Sequence, residues 1–134
     1  MKDLFIETQS KYSFDHTIEK LSDIIVRAGW NISVLLDLQG SLSKSGIDIL
    51  PVKAIELCNP ELASQLLSNS ETRVYSCMLP CKISIYEKEN GKTYLSLLNI
   101  EMISTLIDEK ANRVMNAAFS DIKKFILEIA ERES

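Results

Sequence analysis

Two short runs of alternating residues on either side of an Asn-Gly pair constrain this chain more than any other feature. Lys82 to Glu87 (KISIYE) and Thr93 to Leu98 (TYLSLL) flank Lys88-Glu89-Asn90-Gly91-Lys92. Alternation at period two places every second side chain on one face of a strand. Asparagine and glycine tolerate the positive φ of tight hairpin turns, so the segment is predicted to fold as an antiparallel hairpin. A hairpin of this kind belongs to an antiparallel sheet, and the remaining segments must supply its neighbours and its cover.

Residues 4 to 12, with Phe5, Ile6, Thr8 and Tyr12, read as a first strand. Ser13 then opens a helix with Asp15 in its first turn. Phe14, Ile18, Leu21, Ile24, Ile25 and Ala28 recur at steps of three and four, and Gly29 stops the run. Trp30 to Leu38 is β-branched and apolar enough for a strand, ended by Gln39-Gly40-Ser41, with Leu42 to Gly46 as a short turn of helix or a loop. Val52 to Cys58 is another strand. Asn59 then caps a helix whose first position is Pro60, and which runs through Leu62, Ala63, Leu66 and Leu67 to stop near Ser68-Asn69-Ser70.

Beyond Asn99 the pattern is helical. Met102, Ile103, Leu106 and Ile107 form a short first stretch; Val114, Ala118, Ile122, Phe125, Ile126 and Ile129 form a longer one, with Asp108-Glu109 at the seam. Asp121, Lys123, Lys124, Glu128, Glu131 and Arg132 read as the wet face of the last helix. Val114, Phe119, Phe125 and Ile126 are generous for one buried stripe, and some of them are candidates to meet a second subunit. The expected architecture is one α+β domain over residues 1–134, an antiparallel sheet packed on one face by helices. No repeat or linker divides it.

With 134 residues, 46% hydrophobic and 25% charged, the chain has the composition of an ordered globule with one core. A formal charge of −4 offers no broad cationic field for phosphate backbones, so no nucleic-acid partner is expected. No run of about 18 uncharged apolar residues suits a bilayer, so no membrane partner is expected either. The start, Met1-Lys2-Asp3-Leu4-Phe5-Ile6-Glu7, has no apolar core of signal-peptide length, and a cytoplasmic protein is expected. Three cysteines in such a chain are read as reduced thiols.

Several segments are similar to a known family. Ser13-Phe14-Asp15-His16-Thr17 after the first strand, Leu57-Cys58-Asn59-Pro60 with Ala63 and Leu66 behind it, and Leu79-Pro80-Cys81-Lys82-Ile83-Ser84-Ile85-Tyr86-Glu87 resemble the family called domain of unknown function 302. The resemblance runs in order over residues 4 to 130, and its sharpest parts are the Cys-Asn-Pro and Leu-Pro-Cys triplets. It implies a fold like that of the TATA-box-binding protein, a β-α-β(4)-α arrangement with a long C-terminal helix, and a tendency to form homodimers. It implies no established activity. Cys77, and His16 where an acidic residue is common, depart from the family pattern.

The chemistry-bearing residues gather around the two triplets. If their strands pair antiparallel, Cys58 at the end of one and Cys81 at the start of the other lie at the same sheet edge. Cys58 also precedes a helix start, where free N–H groups and the dipole favour a thiolate. Against this, unpaired cysteines pack as small hydrophobes, and alternation puts Cys58 on the Glu56 side of its strand. Cys58, Cys77, Cys81 and His16 complete the soft-ligand inventory, and Cys-x3-Cys on an extended segment is not the knuckle of a zinc site; no metal is expected. Glycines at 29, 40, 46 and 91 are too scattered for a phosphate loop, and no cofactor is identified.

Two functional readings follow. The first is a noncatalytic small-ligand-binding or sensing module, acting as a homodimer, whose mostly apolar pocket between sheet and helices holds a small apolar ligand near Cys58, Asn59, Pro60, Pro80 and Cys81. The alternative is a thiol-based redox enzyme or sensor in which Cys58 is the nucleophile and Cys81 the resolving thiol.

Overall fold

The computed structural model of the protein describes residues 3–131. Its hairpin lies where alternation places it, with β4 at Cys81–Glu87 and β5 at Thr93–Leu98. The turn differs in one detail. Within it Gly91 alone takes a positive φ, 78°, and among the described residues no non-glycine residue does. Lys88 N–H bonds to Lys92 C=O at 3.1 Å, so the loop has three residues, and the Asn90 side chain accepts from Lys92 N–H at 2.9 Å instead of lending its own backbone to the left-handed region.

The other strands are β1 (Phe5–Gln9), β2 (Asn31–Asp37) and β3 (Val52–Cys58). They complete a five-stranded sheet of order β1-β5-β4-β3-β2 in which every neighbouring pair is antiparallel. β1 is shorter than the predicted residues 4–12. Ser10 still donates its N–H to Thr93 C=O at 2.8 Å, but it also bridges Ala130, its hydroxyl accepting from Tyr12 N–H, and the chain goes on to pair with the C-terminal end of the molecule.

Helix α1 (Phe14–Arg27) buries Phe14, Thr17, Leu21 and Ile25, the stripe its periodicity predicts. Ser13 occupies the cap position with no side-chain bond; its carbonyl accepts from Thr17 N–H at 2.8 Å. Gly29 ends the helix at φ 87°, a conformation that a Cβ would strain. Helix α2 (Leu38–Ser43) starts earlier than the predicted turn at 42–46 because the Asp37 carboxylate, read within the strand, accepts from Gly40 N–H at 2.9 Å. Helix α3 (Pro60–Leu67) is capped by Asn59 Oδ1, which accepts from Glu61 and Leu62 N–H at 3.1 and 3.2 Å.

Two 3-10 segments, Arg73–Met78 and Ile100–Leu106, link α3 to β4 and β5 to the last helix. The Leu79–Pro80 peptide bond is cis. Helix α4 (Glu109–Leu127) begins at the expected seam, its Asp108 cap accepting from Lys110 and Ala111 N–H at 3.0 and 3.2 Å. Asp121 departs from the wet-face reading: it is half-buried and accepts from the Trp30 indole N–H at 3.3 Å. Arg132 and the first two residues of the chain lie outside the described residues.

Residues paired across an antiparallel sheet share a face. Ile55, Leu57, Ile83, Ile85, Leu95 and Leu97 therefore point together toward α1 and α4, and all are buried. Each such side chain contributes on the order of 1.5–3 kcal/mol by leaving water. Val114, Phe119, Phe125 and Ile126, offered by their number as subunit contacts, are buried within their own chain instead. The opposite sheet face, with Glu7, Glu56, Lys82, Tyr86 and Tyr94, carries no helix among the described residues.

Candidate functional site

The ladder between β4 and β5 is incomplete, and the site is built where it stops. Their pairing runs from Glu87↔Thr93 to Ser84↔Ser96 and ends there. β4 nevertheless continues against β3 as far as Leu57↔Cys81, and β5 continues against β1 as far as Phe5↔Leu98. The two strands of the hairpin therefore part, each following its outer neighbour, and open a seam in the middle of the sheet.

A cavity of about 670 Å³ occupies this region. Its deep wall is apolar: Leu57 from β3, Leu62 and Leu66 from α3, and Met115, Ala118 and Phe119 from α4. Its outer wall comes from the helix-free sheet face and includes Phe5, Glu56, Lys82, Ser84, Ser96 and Leu98. The hollow thus reaches from the covered face of the sheet through the seam to the open one. Met78 and Leu79 close the side facing the first 3-10 segment, which Thr72 anchors by donating to Leu66 C=O at 2.7 Å.

Cys58, Asn59, Pro80 and Cys81 all line this cavity, and Pro60 stands just outside it as the first residue of α3. Cys81 pairs with Leu57, so Cys58 lies one rung beyond it at the same edge of the sheet. Both cysteines are half-buried free thiols. Burial first, and the neighbouring Cys58 second, push the Cys81 thiol up to about 11. A thiol so raised is almost wholly protonated at neutral pH and is a poor nucleophile.

Exposed Cys77, on the 3-10 segment, also lines the cavity. His16 is exposed, lies beside the Tyr12 ring and is not among the residues that line the cavity. Among the described residues, no three His, Cys, Asp or Glu side chains come together as metal ligands.

Sequence reasoning missed most of the cavity wall. Trp30, Leu66, Lys82, Ser84 and Ser96 enter the sequence analysis only as members of strands and helices, Phe119 only as an apolar residue of the last helix, and Met115 not at all. The signal that could have found the seam is the serine pair itself, because the hairpin register sets Ser84 against Ser96 and leaves small side chains at the middle of an otherwise bulky ladder.

The fold is a five-stranded antiparallel sheet covered on one face by helices, a two-layer α+β class that many unrelated activities share. A family model described as "Domain of unknown function DUF302" matches residues 6–129, and the chain belongs to that family. A solved structure, "Crystal structure of uncharacterized conserved protein DUF302 from Bacillus stearothermophilus", is similar over 96% of this chain and 99% of that one, with a TM-score of 0.85 and 19% identity. No curated protein matches the chain. In the described residues no helix is long and apolar enough to cross a membrane.

Proposed function

We propose that this protein is a noncatalytic module, one domain over residues 1–134, that binds a small apolar ligand in the cavity between the sheet and helices α3 and α4. One observation carries the reading. A hollow of about 670 Å³ with an apolar interior sits at a break in the sheet, where a well-packed domain would be filled. Cys58, Asn59, Pro80 and Cys81 form part of its rim.

The test uses Trp30, the one tryptophan of the chain, which lines the cavity. Titration with the neutral apolar probe N-phenyl-1-naphthylamine is expected to change Trp30 fluorescence saturably, with one probe per chain by native mass spectrometry. Ala118→Phe, which fills the hollow from α4, is expected to abolish the response. Saturable binding that survives Ala118→Phe would remove the cavity from the reading.

The module is proposed to act as a cytoplasmic homodimer. Edge strand β2 leaves Val34 exposed on one face and Leu35 on the other, and Leu38 and Leu42 of the following α2 are exposed as well. An apolar edge strand left uncovered is a pairing site. Light scattering of the wild type and of Leu35→Lys tests this: a dimer that becomes monomeric is expected, and a wild-type monomer at 100 µM-scale concentrations (~10⁻⁴ M) refutes it.

The thiol reading, Cys58 as nucleophile and Cys81 as resolving thiol, has proximity in its favour. The raised Cys81 thiol opposes it. Peroxide reactivity lost in Cys58→Ser, together with a Cys58–Cys81 disulfide in the oxidised protein, would reinstate that reading.

A further inference from the structure

We infer that the cavity takes a single-chain amphiphile with a carboxylate head, which enters tail first through the seam between β4 and β5 and leaves its head at Lys82 and Ser84. This rests on the ligand-binding reading above and adds to it the entrance and the head group.

The entrance follows from the ladder. Narrow and wide pairs alternate along antiparallel strands, and the Lys88 N–H to Lys92 C=O bond fixes the phase. Pairs 86/94 and 84/96 are then hydrogen-bonded pairs, and Lys82 with Leu98 would be the next. Their pairing is absent. The N–H and C=O groups of Lys82 and Leu98 that would have joined the strands face the seam instead, and backbone polar groups inside a sheet are not left dry. A mouth that presents such groups suits a polar head, and the wall behind it suits only a tail.

The tail follows from that wall. Leu57, Leu62, Leu66, Met115, Ala118 and Phe119 offer no polar side-chain atom except the weak thioether acceptor of methionine. An unbranched chain can bend to fill such a hollow, and the volume lies within the usual range of small-molecule sites.

The sign of the head follows from the donors. Lys82 is 55% exposed in its side chain, and among the described residues its ammonium pairs with Glu56, at 3.6 Å. The Ser84 hydroxyl has no side-chain partner among the described residues. Glu56, the carboxylate at this rim, is already matched by Lys82. The mouth therefore has donors to spare, and an acceptor head that carries negative charge complements it.

Three probes with one tail test the assignment: dodecanoate, dodecanol and dodecyltrimethylammonium, each followed by Trp30 fluorescence and displacement of N-phenyl-1-naphthylamine. Dodecanoate is expected to bind about tenfold tighter than dodecanol, the scale of one charge-assisted hydrogen bond. Lys82→Met is expected to erase that margin with dodecanol unchanged, and Lys82→Arg to keep it. Ser84→Trp, which plugs the seam from the open face, is expected to slow dodecanoate association at least tenfold (~10×), while Val74→Trp on the exposed first 3-10 segment leaves it unchanged. Ser96→Trp plugs the same seam from the facing strand and replaces Ser84→Trp if that variant does not fold.

Equal affinity for dodecanoate and dodecanol, or tighter binding of the cationic probe, overturns the head assignment. Unslowed uptake in a folded seam-plugged variant overturns the entrance. If N-phenyl-1-naphthylamine binds and none of the three probes does, the amphiphile assignment fails while the cavity reading stands; if nothing binds, the cavity reading fails first.

Discussion

The two ends of one hairpin have opposite fates in this molecule. At the turn, β4 and β5 are clamped: the Tyr86 and Tyr94 rings stack at 6.3 Å, Lys88 Nζ lies 4.3 Å over the Tyr94 ring, and Glu7 of β1 receives both Tyr86 O–H and Lys88 N–H. At the other end the same strands diverge after Ser84 and Ser96, and a cavity fills the gap. The contrast teaches that pairing here is decided by what side chains do across the ladder. Cross-strand aromatic and charged pairs hold strands together, whereas two facing serines supply little to hold, and each strand stays with its outer neighbour.

The largest expected difference between the ends is in packing. Leu95→Ala, at a fully buried position beside the closed ladder, is expected to cost about 2–5 kcal/mol of unfolding free energy. Met115→Ala, which removes a side chain already facing a hollow, is expected to cost less, because one side of it has few partner atoms to lose. Urea unfolding of both variants checks the order. Equal losses would mean that the region around Met115 is as tightly filled as the closed end.

Thiol reactivity sharpens the same contrast. A thiol raised from its ordinary 9.0 to about 11 has roughly a hundredfold less thiolate at pH 8. Alkylation at that pH is expected to reach exposed Cys77 well before Cys81. Peptide mapping of partially labelled protein gives the order, and Cys81 labelled as fast as Cys77 would show the seam to be wider and wetter than described. A bound amphiphile is expected to slow Cys81 further.

Much of this was legible in the residues, for reasons that can be named. Strands β3 and β5 have their predicted bounds, because both carry apolar residues that one face must bury, and helix α4 starts at the seam that Asp108 marks. The Asn59 cap and the Pro60 start were equally local signals. What escaped depends on partners distant in sequence. β1 ends early because Ser10 meets Ala130. Asp121 is withdrawn from the surface by Trp30, ninety-one residues away. The triplets led to four of the cavity residues, Cys58, Asn59, Pro80 and Cys81, because prolines mark where strands break. They could not show the parting of β4 from β5, which alternation within either strand does not encode.

The smallest expected effect lies in the clamp, and its pH dependence has a definite sign. Hydrogen bonds from Lys88 and then Tyr86 hold the Glu7 carboxyl below its ordinary 4.5. A carboxyl lowered on folding stabilises the folded state above its unfolded value, and that contribution disappears as the pH falls through the folded value. Tyr86 is pushed up to about 12, by burial first and by its bond to Glu7 second. Its contribution is complete below pH 10 and is lost as the pH climbs from about 10 to 12. Lys88 is raised by Glu7 as well, so its share is present below its ordinary 10.5 and fades above it. The clamp therefore works across the whole interval between the carboxylate and phenol ranges. Because these groups are largely exposed, Tyr86→Phe is expected to cost under about 1 kcal/mol at neutral pH. Glu7→Gln should flatten the acid side of the stability profile relative to wild type, with the two curves converging below the carboxylate range. Dodecanoate affinity is the complementary readout: if the open end is set by the serines, both clamp variants leave it unchanged, whereas a tighter or weaker cavity in Tyr86→Phe would mean that the clamp sets the width of the seam.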